Sequence, residues 1–323
     1  MVSPKVMRIA QSACQPVTKG KKDSLQGMLL SPRYLLSAFV VVLAAACITP
    51  CEAASQETPA ASLLAAPART WAVDCANNEI LVIQHPGSYL RYRLHVVDEK
   101  GDQVRDQIET PEGSVARLIM RDGRPLTPEE DSAERDRLNG QLASPGAFAR
   151  HIRREQDNKK MGVGLLKLMP DAMLWSYTPG QPQLPKESAS SAELVVLDFK
   201  PNPKWSAPNM ESEPLTGLEG RIWIDAHTRR MVHLAGRLSH AVNIGWGMVA
   251  HIYPGGTITL HQTNAGGERW IVEHIVEQLN LRALLVKNVK QRLVFDTADF
   301  QPVPAMGYQQ AIKTLLDTPL VSR

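Results

Sequence analysis

The sequence predicts an α+β protein, mainly β: a strongly curved antiparallel sheet, an incomplete barrel, with helices packed in or across it. Three observations predict this. Between Leu218 and Leu279, runs rich in β-branched residues alternate apolar with polar side chains, the period of a half-buried strand. Turn-forming residues punctuate the runs, as at Asp225-Ala-His-Thr228 and Asn264-Ala-Gly-Gly267. The stretch Asn243-Ile-Gly-Trp-Gly-Met-Val-Ala-His-Ile-Tyr-Pro-Gly-Gly256 mixes large apolar residues with glycines, which in strands mark bulges and tight bends that curl a sheet.

The chain then reads in order. Trp71, Cys75, Ile80 and Ile83 fit a helix over 70–83, closed by His85-Pro86-Gly87. Strands follow at 89–97, 103–110 and 114–121, with the polar turn Asp98-Glu-Lys-Gly101 between the first two. Thr127-Pro-Glu-Glu130 starts a helix: a Thr cap, Pro at the first helical position, acids in the first turn. Its charged residues, Glu129 to Arg137, put it on the surface. Ser144-Pro145 opens a second helix through Phe148, Ile152 and a charged run to Lys160, read as a solvated face. Short apolar pieces at 165–170 and 172–175 flank a proline break, and 179–191 is a loop. Glu193–Phe199 is apolar on both faces, hence a covered strand. Strands are expected at 220–225, 229–238, 257–261 and 268–277. Residues 269–281 also fit a helical stripe through Ile271, Ile275 and Leu279. One or two strands at 284–296 and a helix at 305–316 end the chain.

Charge narrows the function classes. The formal charge is +3, from 36 basic and 33 acidic groups; residues 1–53 hold six and two of them, leaving 30 and 31 beyond, a net of −1. The body therefore has no cationic excess for phosphates, which excludes nucleic acid as an expected partner. The apolar run 34–48, preceded by Arg33 and followed by Cys51-Glu-Ala53, has the form of a secretory signal, with Met28 as an alternative start. Residues 1–53 are thus read as a leader, 54–69 as a flexible spacer and 70–323 as one β-rich domain. Lipidation at Cys47, in Ala44-Ala-Ala-Cys47, and an uncleaved N-terminal membrane anchor are the alternatives to cleavage. All three export the domain, to a periplasm or cell envelope. Loss of Cys14, Cys47 and Cys51 with the leader would leave Cys75 alone, a small buried hydrophobe.

No motif specifies catalysis, a cofactor or a metal. His227, His233, His240, His251, His261 and His274 lack the spacing that puts two imidazoles on one helical face. Gly162-Val-Gly164 lacks a third glycine and a P-loop lysine, and there is no Gly-x-Ser-x-Gly elbow. Trp246 and Met248, then Trp223 and Trp270, are the candidates for lining an apolar concavity. The plainer alternative makes Ile244, Trp246, Met248 and Ile252 ordinary core.

Several segments, Tyr89-Leu-Arg-Tyr92, Asp122-Gly-Arg-Pro-Leu126, Leu197-Asp-Phe-Lys-Pro-Asn-Pro203, Leu218-Glu-Gly-Arg-Ile-Trp-Ile-Asp225, Gly245-Trp-Gly-Met248 and Glu268-Arg-Trp270, follow one another in an order that resembles exported bacterial proteins of the LolA-like and RseB-like envelope superfamily. The resemblance implies an incomplete antiparallel barrel wrapped around helices, with a hydrophobic cavity that accepts a lipid or lipoprotein acyl chain in the carriers. The expectation is an exported, non-catalytic binding protein for a hydrophobic ligand. A regulator or scaffold binding an envelope protein is the first alternative; a metal-dependent hydrolase resting on the histidines, with His251 or His261 as ligands, is the second.

Overall fold

The computed structural model describes residues 63–85, 87–184, 193–266, 269–284 and 286–319. The leader, with its apolar run and Cys47, and the first part of the spacer lie outside the described residues. Helix α1 (Ala68–Gln84) precedes a meander of β1 (Tyr89–Asp98), β2 (Gly101–Ile108), β3 (Val115–Arg121) and β4 (Arg124–Pro125). Helices α2 (Pro128–Ala143) and α3 (Pro145–Ala172) lead to β5 (Met173–Tyr177) and β6 (Leu194–Pro201). After a 3-10 helix, Met210–Thr216, come β7 (Leu218–Asp225), β8 (Met231–Leu238), β9 (Val242–Ile244) and β10 (Ala250–Ile252). The strands β11 (Thr257–Asn264), β12 (Trp270–Ala283) and β13 (Lys287–Val303) and the helix α4 (Tyr308–Asp317) complete the order.

The 13 strands of the described residues belong to one antiparallel sheet, in the order β4-β3-β2-β1-β13-β12-β11-β8-β7-β6-β5, with the β9–β10 hairpin attached to the end of β12. The sheet curls without closing, as the sequence predicts for an incomplete barrel. Register shifts in the β1–β13, β2–β3, β7–β8 and β11–β12 pairings each add a local bend and extra twist, which supplies the curl. β13 inserts between β1 and β12, pairing Tyr89 with Val303, and so makes the early meander and the late strands one sheet. The same pairing decides segment 269–281. Its helical stripe gives way to a strand because β12 is hydrogen-bonded on both sides, by β11 and β13.

The hairpin β7–β8 shows what the Gly-x-x-Trp-x-Asp stretch does. A Cβ on Gly220 would lie 2.1 Å from the Ala235 carbonyl oxygen, so only glycine lets the two backbones approach there. Trp223 donates its Nε1–H to the Pro182 carbonyl at 2.8 Å, and Asp225 Oδ1 accepts the His227 and Thr228 N–H groups at 3.0 and 2.8 Å, closing the turn. Gly220 and Asp225 build the hairpin, and Trp223 ties it to the segment before β6. Gly220→Ala is expected to lower stability by about 1–3 kcal/mol through overpacking, readable as a lower denaturant midpoint.

On the inner face, Trp71, Ala72 and Cys75 of α1 and Leu165, Met169 and Ala172 of α3 pack against Leu197, Ile222, Leu234, Leu260, Ile275 and Phe295. α3 corrects one expectation: the charged run and the apolar pieces are a single 28-residue helix with Pro170 inside it. Pro170 falls in the last turn, two residues before the end at Ala172, so its missing N–H costs only the final hydrogen bonds. A second, smaller core joins Ile108 and Val115 to Leu138 of α2, Phe148 and Ile152 of α3 and Ile312 and Leu315 of α4. Phe148 and Tyr308 stack there with centroids 3.6 Å apart. Buried Arg117 donates to the Leu315 and Thr318 carbonyls, both at 2.7 Å, and to Asp131, tying α4 and α2 to β3. The expected cap of α2 is present as a full capping box between Thr127 and Glu130.

Candidate functional site

The space between α1, α3 and the sheet is the candidate site. A cavity of about 30 Å³ lies there, lined mainly by Ala72, Ala76, Leu166, Met169, Trp175 and Ile222, with Cys75 and Glu79 also on its wall. On the helix side, the small Ala72, Cys75 and Ala76 of α1 and Gly162 of α3 leave room beside the larger Leu166 and Met169. Glu79 is buried, yet it is satisfied: Met231 N–H and Gln262 Nε2 donate to its two oxygens at 3.1 and 3.2 Å. Burial, then the neighbouring Glu79, pushes the Cys75 thiol well above its ordinary range, so Cys75 is an inert apolar wall. The volume suits a water molecule rather than a drug-sized ligand, which needs about 300 Å³ or more.

The rim of α1 is held by polar ties. Arg229 Nη1 reaches Asp74 at 2.9 Å and its guanidinium lies 3.5 Å over the Trp71 ring; Asn78 donates to the Thr228 carbonyl at 2.9 Å, and Arg69 pairs with Asp171 of α3. Such exposed pairs are worth little individually, so α1 is kept in place chiefly by apolar burial.

None of the four residues picked from the sequence lines this cavity. Trp223 and Trp270 lie with Leu194 and Val232 in a separate cluster. Alternation explains Trp223: Ile222 and Ile224 on either side of it face the inner core, so it must point outward. Trp246 and Met248 are exposed, in the turn of the β9–β10 hairpin, while Ile244 and Ile252 are core. Neither cavity lining nor core filling holds for them. The turn is left-handed at Gly245, Trp246 and Gly247, which aims residue 246 away from both strands.

The outer face carries an arrangement that spacing along the chain conceals. His233, His261, His274, Asp296 and His95 are successive register partners across β8, β11, β12, β13 and β1. Each is followed or preceded by an inner-core residue (Leu234, Leu260, Ile275, Phe295, Leu94), the parity that reveals their common face. Asp296 accepts from His274 Nδ1 and lies 3.2 Å from His95 Nδ1, and His95 Nε2 is 2.9 Å from Asp102. Burial, then His261, lowers the His233 pKa to about 4. Among the described residues no three His, Cys, Asp or Glu side chains are placed to hold a metal ion. His251 is 2.7 Å from Asn243 on the adjacent strand, away from that row.

Two further carboxyls are buried on the sheet. Glu109, beside β2, takes two hydrogen bonds from Arg269 Nη2 at 2.8 and 2.7 Å and one from Leu90 N–H at 3.0 Å. Fully buried Glu277, on β12, accepts a 3.3 Å bond from Gln291, and its other oxygen has no partner among the described residues. Burial pushes its pKa up to about 7. No helix among the described residues is long and apolar enough to cross a membrane. Comparison of the chain with protein-family models, with curated proteins and with solved structures yields no match.

Proposed function

We propose that this chain is an exported, non-catalytic binding protein of a cell envelope that accepts a hydrophobic ligand, an acyl chain of a lipid or lipoprotein, between the sheet and the α1–α3 pair. The observation that carries the reading is the apolar cavity at that seam, where Ala72, Cys75, Ala76 and Gly162 leave space between the helices and the sheet. In the closed arrangement the cavity is too small for the chain, so α1 swings outward on binding, giving up the rim contacts of Arg229 and Asn78. Each methylene buried returns about 0.8 kcal/mol, so a partial chain offsets a modest opening cost.

Native mass spectrometry of protein purified from an envelope fraction tests the reading. The expected spectrum shows a chain shortened to near Ala54, or lipid-modified at Cys47, carrying a lipid that a fatty-acid probe displaces. Ala76→Phe, which fills the cavity, is expected to weaken probe binding at least tenfold, and Met169→Ala, which enlarges it, to strengthen binding while destabilising the fold by about 2–5 kcal/mol. A folded protein free of lipid that binds no probe, in wild type and Met169→Ala alike, would overturn the proposal. Capture of a specific envelope protein by that lipid-free form would establish the scaffold instead.

A further inference from the structure

We propose that two adjoining hairpin tips at one corner of the sheet, the turn that carries Trp246 and Met248 and the tip that carries Leu284 and Val286, form a docking element for an anionic lipid surface. The two turns are neighbours: Ala250 pairs with Ala283, and Leu284 N–H donates to the Val249 carbonyl at 3.1 Å. Among the described residues eight large apolar side chains are exposed, and five of them are Met210, Trp246, Met248, Leu284 and Val286. Met210 belongs to the same corner, since a Cβ on Gly245 would lie 3.1 Å from its sulfur. Trp246 is 90% and Val286 84% exposed, so these side chains contribute almost nothing to the core.

The turn nonetheless holds its tryptophan in a costly shape. Trp246 has φ 57°, between two glycines that are also left-handed. Glu213 accepts the Gly245 N–H at 2.8 Å, and the Ile244 carbonyl accepts from Gly247 and Val249 at 3.1 and 3.2 Å. A bulky residue kept in a disfavoured conformation and in water, by contacts that specify the turn, marks a surface used outside the fold.

Charge selects the occupant. Residues 278–295, which run to the tip and back, contain Arg282, Lys287, Lys290 and Arg292 and no acid. Lys287, Lys290 and Arg292 are exposed. Residues 239–267 contain no acid either. The acids nearby on the 3-10 helix are Glu211 and Glu213, the latter engaged with Gly245. An exposed apolar corner with an aromatic ring, with cations on the two strands that lead to it, matches the bilayer interface, where tryptophan sits at headgroup depth and lysines meet anionic phosphates. A protein partner would require a broader face, about 800 Å² on each side. This proposal does not depend on the acyl-chain reading, because the tip shares no residue with the cavity wall.

Co-sedimentation of the full chain with vesicles tests it, phosphatidylcholine alone against phosphatidylcholine with phosphatidylglycerol. Wild type is expected to bind the anionic vesicles at least tenfold more tightly, with an affinity that falls as salt rises. Trp246→Ser with Val286→Ser, and separately Lys287→Glu with Lys290→Glu, should each reduce that binding about tenfold. Contributions from the N-terminal apolar run are common to all variants and cancel in the comparison. The substituted side chains are exposed, and a melting temperature within a few degrees of wild type verifies folding. Unchanged vesicle binding in both double variants would overturn the proposal. So would absence of binding to either vesicle, or self-association or capture of a protein partner that the tip variants abolish while vesicle binding persists.

Discussion

Arg269→Met is expected to lower the stability of the fold by about 3–5 kcal/mol, because it takes from the buried Glu109 carboxyl the guanidinium that bonds both its oxygens. Both side chains are buried, and Glu109 is held by the Arg269 guanidinium and the Leu90 N–H. Burial pushes the Glu109 carboxyl up to about 7 against the pull of Arg269, so removing the guanidinium raises it further. The double variant Arg269→Met with Glu109→Gln should recover most of the loss, since the substituted amide can still accept from Leu90 N–H and carries no charge. Urea denaturation of the four proteins measures this cycle. Additive losses in the double variant would show that the pair is not coupled.

Glu277→Gln is expected to stabilise the protein at pH 8 and to leave it unchanged at pH 4.5. The carboxyl rises from an ordinary 4.5 to about 7 in the fold. A raised pKa means that the folded state holds the proton more tightly than the unfolded chain. Its contribution is therefore complete below pH 4.5 and is lost as pH rises through 7. At about 1.36 kcal/mol per unit, the loss approaches 3 kcal/mol by pH 8. Removing the charge should flatten the stability profile over that range, as denaturant midpoints at pH 5, 6.5 and 8 would report; parallel profiles for variant and wild type would refute it. His233 acts in the opposite sense. Its pKa is lowered from 6.5 to about 4, so its contribution is full above pH 6.5 and lost as pH falls toward 4. The wild-type profile should therefore decline on both sides of a mildly acidic optimum.

Polar groups inside this sheet are outnumbered by apolar ones. The outer edge of β6 illustrates how such groups are satisfied. β5 pairs with β6 only as far as Leu197, and beyond it the amide of Gln181 bonds Val196 N–H and C=O while that of Gln183 bonds those of Leu194. Two side chains thus take the place of a strand and blunt an exposed edge.

Whatever depends on near neighbours was already written in the amino-acid order. Alternation placed β7 and β8, the Thr127 and Pro128 pair started α2, and Asp225 turned a hairpin with its own backbone. Period 2 even contained the outward direction of Trp223, given Ile222 and Ile224. Whatever depends on partners far along the chain had to wait for the assembled fold. The pairing of β12 with β11 and β13 fixed 269–281 as strand, and the register across five strands assembled four histidines and an aspartate from positions 95 to 296. The left-handed turn at Gly245 to Gly247 sent Trp246 and Met248 to the surface, although their composition reads as core. Hydrophobicity states how much a side chain gains from burial; which face and which partner receive it is set by backbone direction and register, and these are properties of the assembled sheet.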